Sequence, residues 1–381
     1  MNSTDIVVIG GGVIGLSIAY VLGREGIRTT VLDRRELGRE ASWAGAGLIP
    51  PEGVRPGGHP LGELRSWSSK LYPEWSARLL EETGIDNGYR LTGGVDVAFT
   101  DDEELALKTA AGRWRTEGIT FERLLPNEFD RVEPALSRDL RVAYFLADRG
   151  QIRNPRHLRA LAAAVSKQGG LLQPGREVIG FEFADGKVTA LHTEEGSIPC
   201  GGAIIAAGAW SSSVLKTLGV DAPTPPLKGQ IVLLKSDRML LRRIVEHGKN
   251  YLVPRDDGRI LVGATEEDAG FDTRTTSLGV RTLLDEAIQL CPCLAEAEVE
   301  KAWAGLRPGS IDTRPYIGAV PGFENLFLAS GHKRSGLQLS PGTAEVIADL
   351  VLGRTPRVDL RDFRPDREPA EAGAGEDAFR S

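Results

Sequence analysis

The chain has 381 residues, enough for two joined domains. Its 41% hydrophobic and 26% charged residues are those of a globular protein, and a formal net charge of −7 without a Lys/Arg-rich run argues against nucleic acid as a partner. Cys200, Cys291 and Cys293 lack companions at zinc spacing, and no run is long enough to span a bilayer, so a cytoplasmic protein without metal, signal peptide or membrane anchor is expected.

The first apolar run, Ile6-Val7-Val8-Ile9, reads as a buried parallel strand, and Gly10-Gly11-Gly12-Val13-Ile14-Gly15 follows at once. A helix over 13–23 places Ile14, Ile18, Val21 and Leu22 on one face, and a second strand over 29–32 ends on Asp33. In this order the G-x-G-x-x-G spacing is a dinucleotide-binding fingerprint. Gly10 permits the tight turn, Gly12 lets the backbone approach a pyrophosphate, and Gly15 lets helix and strand pack closely. The helix N-terminus points its N–H groups at the phosphates. Asp33 can accept hydrogen bonds from both ribose hydroxyls, and its charge would repel a 2′-phosphate.

Small residues over 40–48 can follow a cofactor closely, and helices over 61–82 and 101–118 flank a strand at 91–97. Asn154-Pro155 reads as the cap and first position of a helix with Leu158, Leu161, Ala162 and Val165 on its apolar face. Strands at 178–183 and 188–193 meet at an Asp185-Gly186 turn, and 203–211 reads as a buried strand breaking at Gly208. Strands at 231–234, 251–254 and 260–263 precede a helix over 274–290. A last strand, 326–329, leads into the Ser330–Gly336 loop. Ser340 is expected to cap a final helix with Pro341 at its first position, ending at Gly353. The tail over 366–381 is acidic and rich in Ala and Gly, so disorder is expected there.

The fingerprint, Ala41-Ser42 with the glycines after it, Ala206-Ala207-Gly208-Ala209-Trp210, Gly305-Leu306-Arg307-Pro308 and Ser330-Gly331-His332 together resemble the D-amino-acid oxidase family of FAD enzymes. The resemblance runs to about Arg361 and is nearest the family's glycine oxidase branch, associated with thiamine biosynthesis. It implies an α/β fold. A discontinuous, Rossmann-like FAD-binding domain (1–86, 145–222 and 300–362) would be interleaved with a mixed-sheet α+β substrate domain (87–144 and 223–299). It further implies oxidative deamination of glycine or a small amino acid through an imine, hydride transfer to flavin N5, reduction of O2 to H2O2, and a homo-oligomer such as a tetramer.

Carried over by position, Gly10, Gly12, Val13, Ile14 and Gly15 would meet the FAD phosphates, and Asp33 and Arg34 the adenosine ribose. Ala41, Ser42, Ala46, Gly47 and Leu48 resemble pyrophosphate and flavin contacts. Val178 sits where the family bonds adenine through its backbone, and Ala207, Gly208 and Trp210 belong to the second close approach. Gly331, His332, Lys333, Arg334, Ser335, Gly336, Leu337 and Gln338 resemble the wrap around the isoalloxazine. Arg307 matches the substrate-carboxylate arginine, with Tyr251, Arg334 and Leu48 as pocket residues.

The residues read independently are compatible with this. A hydride-transfer site needs little acid–base machinery, and no Ser/His/Asp or metal-ligand cluster is evident. Arg307 offers a planar, permanently charged fork for a carboxylate, and Tyr251 a second donor; taken alone, such an arginine is more often an ion-pair residue and such a tyrosine strand packing, and the family match reverses those odds for Arg307. His332 and Lys333 can supply positive charge beside reduced flavin or belong to a solvated loop. Glu266 stands where the family has an apolar residue such as Met. Facing the pocket it would recognise an amine or disfavour large apolar substrates; otherwise it points to solvent. No cysteine lies between Arg307 and Arg334, so FAD is expected to be non-covalent. Two other readings keep the flavin: a D-amino-acid dehydrogenase with a non-oxygen acceptor, and a sarcosine oxidase. A nucleotide sensor would have no need of an amino-acid clamp.

Overall fold

A computed structural model describes residues 4–51, 53 and 58–369. Strand Thr4–Ile9 lies at the centre of the first sheet, parallel to Thr29–Asp33 on one side and to the end of Gly196–Ile205 on the other. Leu171–Pro174 and Leu326–Ser330 extend the parallel set. Gly180–Ala184 and Lys187–Thr193 form an antiparallel hairpin beside it, turning at Asp185 and Gly186, both at positive φ. Val7, Val8, Val31 and Ile204 are fully buried, the uninterrupted apolar pattern of strands covered on both faces. On one face pack helices Val13–Arg24, Asn154–Lys167 and Gly336–Val351. The other is closed by a smaller cluster containing Leu191, Leu215 and Ala222.

The second sheet runs Glu298–Pro308, Pro226–Lys235, Arg259–Gly263, Asn250–Pro254, Ile244–His247, Gly94–Ala98, Val142–Leu146 and Glu122–Leu124. Helix Ser277–Leu290 buries Leu283, Ala287 and Leu290 against it. Glu298–Pro308 pairs along nearly the whole of Pro226–Lys235, so residues 300–308, grouped by sequence with the nucleotide unit, lie in the second sheet. Among the described residues no helix is long and apolar enough to cross a membrane.

Four local expectations change. The strand read over 203–211 ends at Ile205, and Gly208–Trp210 is a 3₁₀ turn. Asn154 does not cap its helix. Arg153 is the cap residue, and the Asn154 amide crosses to the Ser42 carbonyl at 2.8 Å.

The last helix starts at Gly336, and Pro341 lies inside it rather than at its first turn. Proline cannot donate to the carbonyl four residues back, which would leave Leu337 O exposed. The hydroxyls of Tyr72 and Ser340 donate to it instead. One residue on, Ser68 Oγ bridges the opened step, accepting from Gly342 N (2.9 Å) and donating to Gln338 O (2.7 Å). The helix Pro60–Thr83 thus repairs the proline break from outside. In the tail, Arg367 is packed against Tyr316 and paired with Asp312, so ordered structure passes residue 366. Residues 370–381 lie outside the described residues.

Candidate active site

A cavity of about 1460 Å³ opens at the carboxyl ends of the parallel strands. Ile9, Asp33, Ala206 and Ser330 line it from the first sheet; Gly229, Tyr251, Gly305 and Arg307 line it from the second. Ligands of open α/β sheets sit at this end because strand ends and helix N-termini converge there.

At the fingerprint, Gly10 has φ +111°, and a Cβ on it would stand 2.4 Å from Ala206 O. A Cβ on Gly15 would stand 1.9 Å from Gly10 O, so this glycine serves packing and does not line the cavity. Gly12, Val13 and Ile14 do line it. Helix Val13–Arg24 has no side-chain cap from Gly12; Ser42 Oγ accepts from Val13 N at 2.9 Å. The Asp33 carboxylate receives Gly11 N at 2.8 Å and Arg35 N at 2.9 Å. Burial raises the Asp33 pKa, and these two bonds oppose the rise. The Arg34 guanidinium lies 3.8 Å from the centre of the Trp210 ring, and Val178, Ala207 and Gly208 share the same wall.

Ala41, Ser42, Ala46, Gly47 and Leu48 line the cavity, as do His332, Lys333, Arg334, Ser335, Gly336, Leu337 and Gln338; Gly331 does not. His332 departs from the expected positive role. It is buried, its Nε2 shares a hydrogen bond with Thr343 Oγ1, and burial lowers its pKa to about 3, so the ring is neutral.

Arg307 and Tyr251 are brought together over two glycines. A Cβ on Gly229 would lie 2.4 Å from Arg307 Nη2, and one on Gly263 would lie 2.6 Å from Tyr251 Oη. The missing side chains are the space in which the guanidinium and phenol lie. Arg307 Nη1 donates to Thr265 O at 3.2 Å. Burial pulls the Arg307 pKa down, against the attraction of Tyr251. Burial raises the Tyr251 pKa, keeping its hydroxyl protonated, although Arg307 and Arg334 pull the other way. Leu48, Ala46, Ile231, Val253 and Leu261 form an apolar cluster with Tyr251.

Glu266 does not line the cavity. Its Oε2 lies 3.0 Å from Nη2 and 3.1 Å from Nε of the cavity-lining Arg334.

Sequence reasoning missed Gly229 and Gly263. The signal was available, since a glycine inside a strand marks a close approach. It also missed a buried ionic cluster on the cavity wall. Arg149 makes two 2.9 Å bonds to Asp96, with Glu246 at 3.5 Å. In sequence Arg149 follows a turn-like Ala147-Asp148 and looks solvated, so nothing there announced the cluster.

Residues 5–350 match the DAO family model, described as FAD dependent oxidoreductase. A glycine oxidase of Pseudomonas aeruginosa is 38% identical over 364 residues, covering 95% of this chain and 99% of that protein. The crystal structure of glycine oxidase from Geobacillus kaustophilus superposes with a TM-score of 0.92 at 32% identity, over 96% of this chain and 99% of that one. That from Bacillus cereus gives 0.90 at 31%, over 97% and 100%.

The residues fit FAD. The glycine turn leaves room for a pyrophosphate, and four cavity-lining residues each retain a buried polar side-chain atom without a hydrogen bond in the protein: Arg149 Nε, Asn154 Oδ1, His332 Nδ1 and Arg334 Nη2. The chain belongs to the DAO family of FAD-dependent oxidoreductases.

Proposed function

We propose that the protein oxidises glycine or another small amino acid to its imine, which water hydrolyses to the 2-oxo acid, with O2 as electron acceptor and H2O2 as product. The observation that carries this reading is the Arg307–Tyr251 pair, seated over Gly229 and Gly263 at one end of a cavity that fits FAD. A fixed guanidinium with a phenol beside it matches a carboxylate with an amine-bearing carbon next to it. The glycine oxidases named above support the same choice of substrate.

When bound, FAD supplies the two-electron acceptor. The chain binds and orients. Gly10, Gly12, Val13, Ile14 and Ser42 hold the pyrophosphate, Asp33 the ribose, and Arg34 with Trp210 and Val178 the adenosine end. Arg307 binds the substrate carboxylate through its fork, and the protonated Tyr251 hydroxyl donates to the same group. The cluster of Leu48, Ala46 and Leu261 excludes water around them. No side chain need act as general base beyond the proton that leaves the substrate ammonium. FAD is read as bound non-covalently; Cys200, Cys291 and Cys293 all stand outside the described cavity lining.

The FAD-binding unit is read as 1–86, 147–222 and 309–362, the substrate unit as the second sheet with its helices, and the protein as a homo-oligomer. Peroxide formation from glycine and oxygen with no added acceptor tests the oxidase reading. Turnover only with a quinone or dye would assign a dehydrogenase instead.

A further inference from the structure

Two guanidinium groups, Arg307 and Arg334, line the amino-acid end of the cavity. A substrate with one carboxylate needs one of them. Arg334 is paired with Glu266: its Nε donates to Oε2 at 3.1 Å, and its Nη2 lies 3.0 Å from the same oxygen without a hydrogen bond of its own. The pair is about three-quarters buried. Burial alone would raise the Glu266 pKa, but Arg334 outweighs it, with help from Lys333 and Arg307, and the carboxyl is held below its ordinary range.

The backbone fixes this arrangement. Residues 265–267 continue beside strand Pro226–Lys235, with Lys228 N donating to Glu267 O at 3.0 Å and Glu267 N to Lys228 O at 2.9 Å. Thr265 Oγ1 and Glu267 Oε1 are tied to each other at 2.6 Å, and both are tied to Gln230. Side chains alternate along an extended chain, so anchoring Thr265 and Glu267 on one side turns Glu266 to the other, toward Arg334. Arg307 Nη1 reaches the carbonyl just before it.

We infer that Glu266 sets the charge selectivity of this pocket: by neutralising Arg334 it reserves the site for amino acids with a single carboxylate and excludes dicarboxylic ones. The inference rests on the amino-acid oxidase reading and deepens it. A second carboxylate would find the Arg334 charge already neutralised by Glu266, which stands outside the cavity. Replacing Glu266 with a neutral residue leaves that charge unmasked for the new anion.

The test compares holoenzyme and Glu266→Gln with two matched pairs, sarcosine against iminodiacetate and D-alanine against D-aspartate. Each pair differs by one carboxylate. Visible-spectrum titrations of the bound flavin with acetate and malonate give the same comparison without turnover. The dicarboxylate-to-monocarboxylate ratio, in kcat/KM and in affinity, should rise about tenfold in Glu266→Gln. It should fall back in Glu266→Gln/Arg334→Gln. A rise below threefold, or one that survives loss of Arg334, overturns the inference. Should Glu266→Gln fail to retain FAD, Glu266→Met serves with the same thresholds. The titration reads Glu266 even in a protein that oxidises none of these compounds, so failure of the substrate reading and failure of this inference are separable.

Discussion

Gly229→Ala is the sharpest perturbation of the proposed substrate clamp, because it adds one methyl at the place where the Arg307 guanidinium lies. The new Cβ would stand 2.4 Å from Nη2 and 2.6 Å from both Cζ and Nη1, where ordinary contact begins at 3.4 Å. The guanidinium must therefore retreat by about 1 Å, a misplacement on the order of 100-fold in rate for a positioned group, or about 2.7 kcal/mol. Folding should suffer little. Gly229 has no positive φ, and the atoms it would meet are the end of a flexible side chain. The assay is kcat/KM for glycine together with flavin-monitored titration by acetate, on protein checked for FAD content and thermal midpoint. Glycine efficiency and acetate affinity should both fall while FAD content stays. In an Arg307→Ala background the same methyl should cost almost nothing more, since its target has gone. An undiminished kcat/KM, or an equal acetate penalty with and without Arg307, would refute the placement of the clamp.

Other perturbations read other parts of the molecule. Ser68→Ala strands Gly342 N and Gln338 O in the proline-broken helix, and should lower unfolding stability by about 1–3 kcal/mol in urea titration; an unchanged midpoint would deny the bridge. Burial lowers both His157 and His332 to about 3 from 6.5. Between those limits the unfolded chain takes up two protons that the folded chain refuses, so stability should fall as pH drops, by up to about 2.7 kcal/mol per unit. His157→Gln should make that dependence shallower by about one proton, and an identical slope would count against a neutral buried ring. Gly12→Val places a branched side chain on the cavity wall next to Ser42 Oγ, only 3.1 Å from the Cβ position, and should purify largely colourless. Acid denaturation of the parent protein should release yellow cofactor, and flavin that stays with the precipitate would mean a covalent bond.

The strand–glycine–helix turn was legible in sequence because its geometry is local. Gly10, Gly12 and Gly15 act within one turn, and Asp33 ends the neighbouring strand, so spacing alone places them. The substrate end is assembled across strands. Arg307, Tyr251, Gly229 and Gly263 come from four different strands of the second sheet, and only pairing brings them together. Glu266 shows the same limit: whether it faces pocket, solvent or Arg334 depends on the anchoring of Thr265 and Glu267 to Gln230 and Lys228. The helix start was misplaced for a related reason. Ser340-Pro341 is a good local opening signal, but Tyr72 and Ser68, some 270 positions away, supply the hydrogen bonds that let the helix run through the proline.

In the proposed reaction an amino acid delivers two electrons to bound FAD while Arg307 holds its carboxylate. Anaerobic mixing of the purified yellow protein with glycine, followed by visible absorption, measures this directly. The flavin bands should bleach in the parent protein and return on admitting air, while Arg307→Ala should keep its colour through the same exposure. A parent spectrum left unchanged by glycine, sarcosine and D-alanine alike, or bleaching equally fast without Arg307, would contradict it.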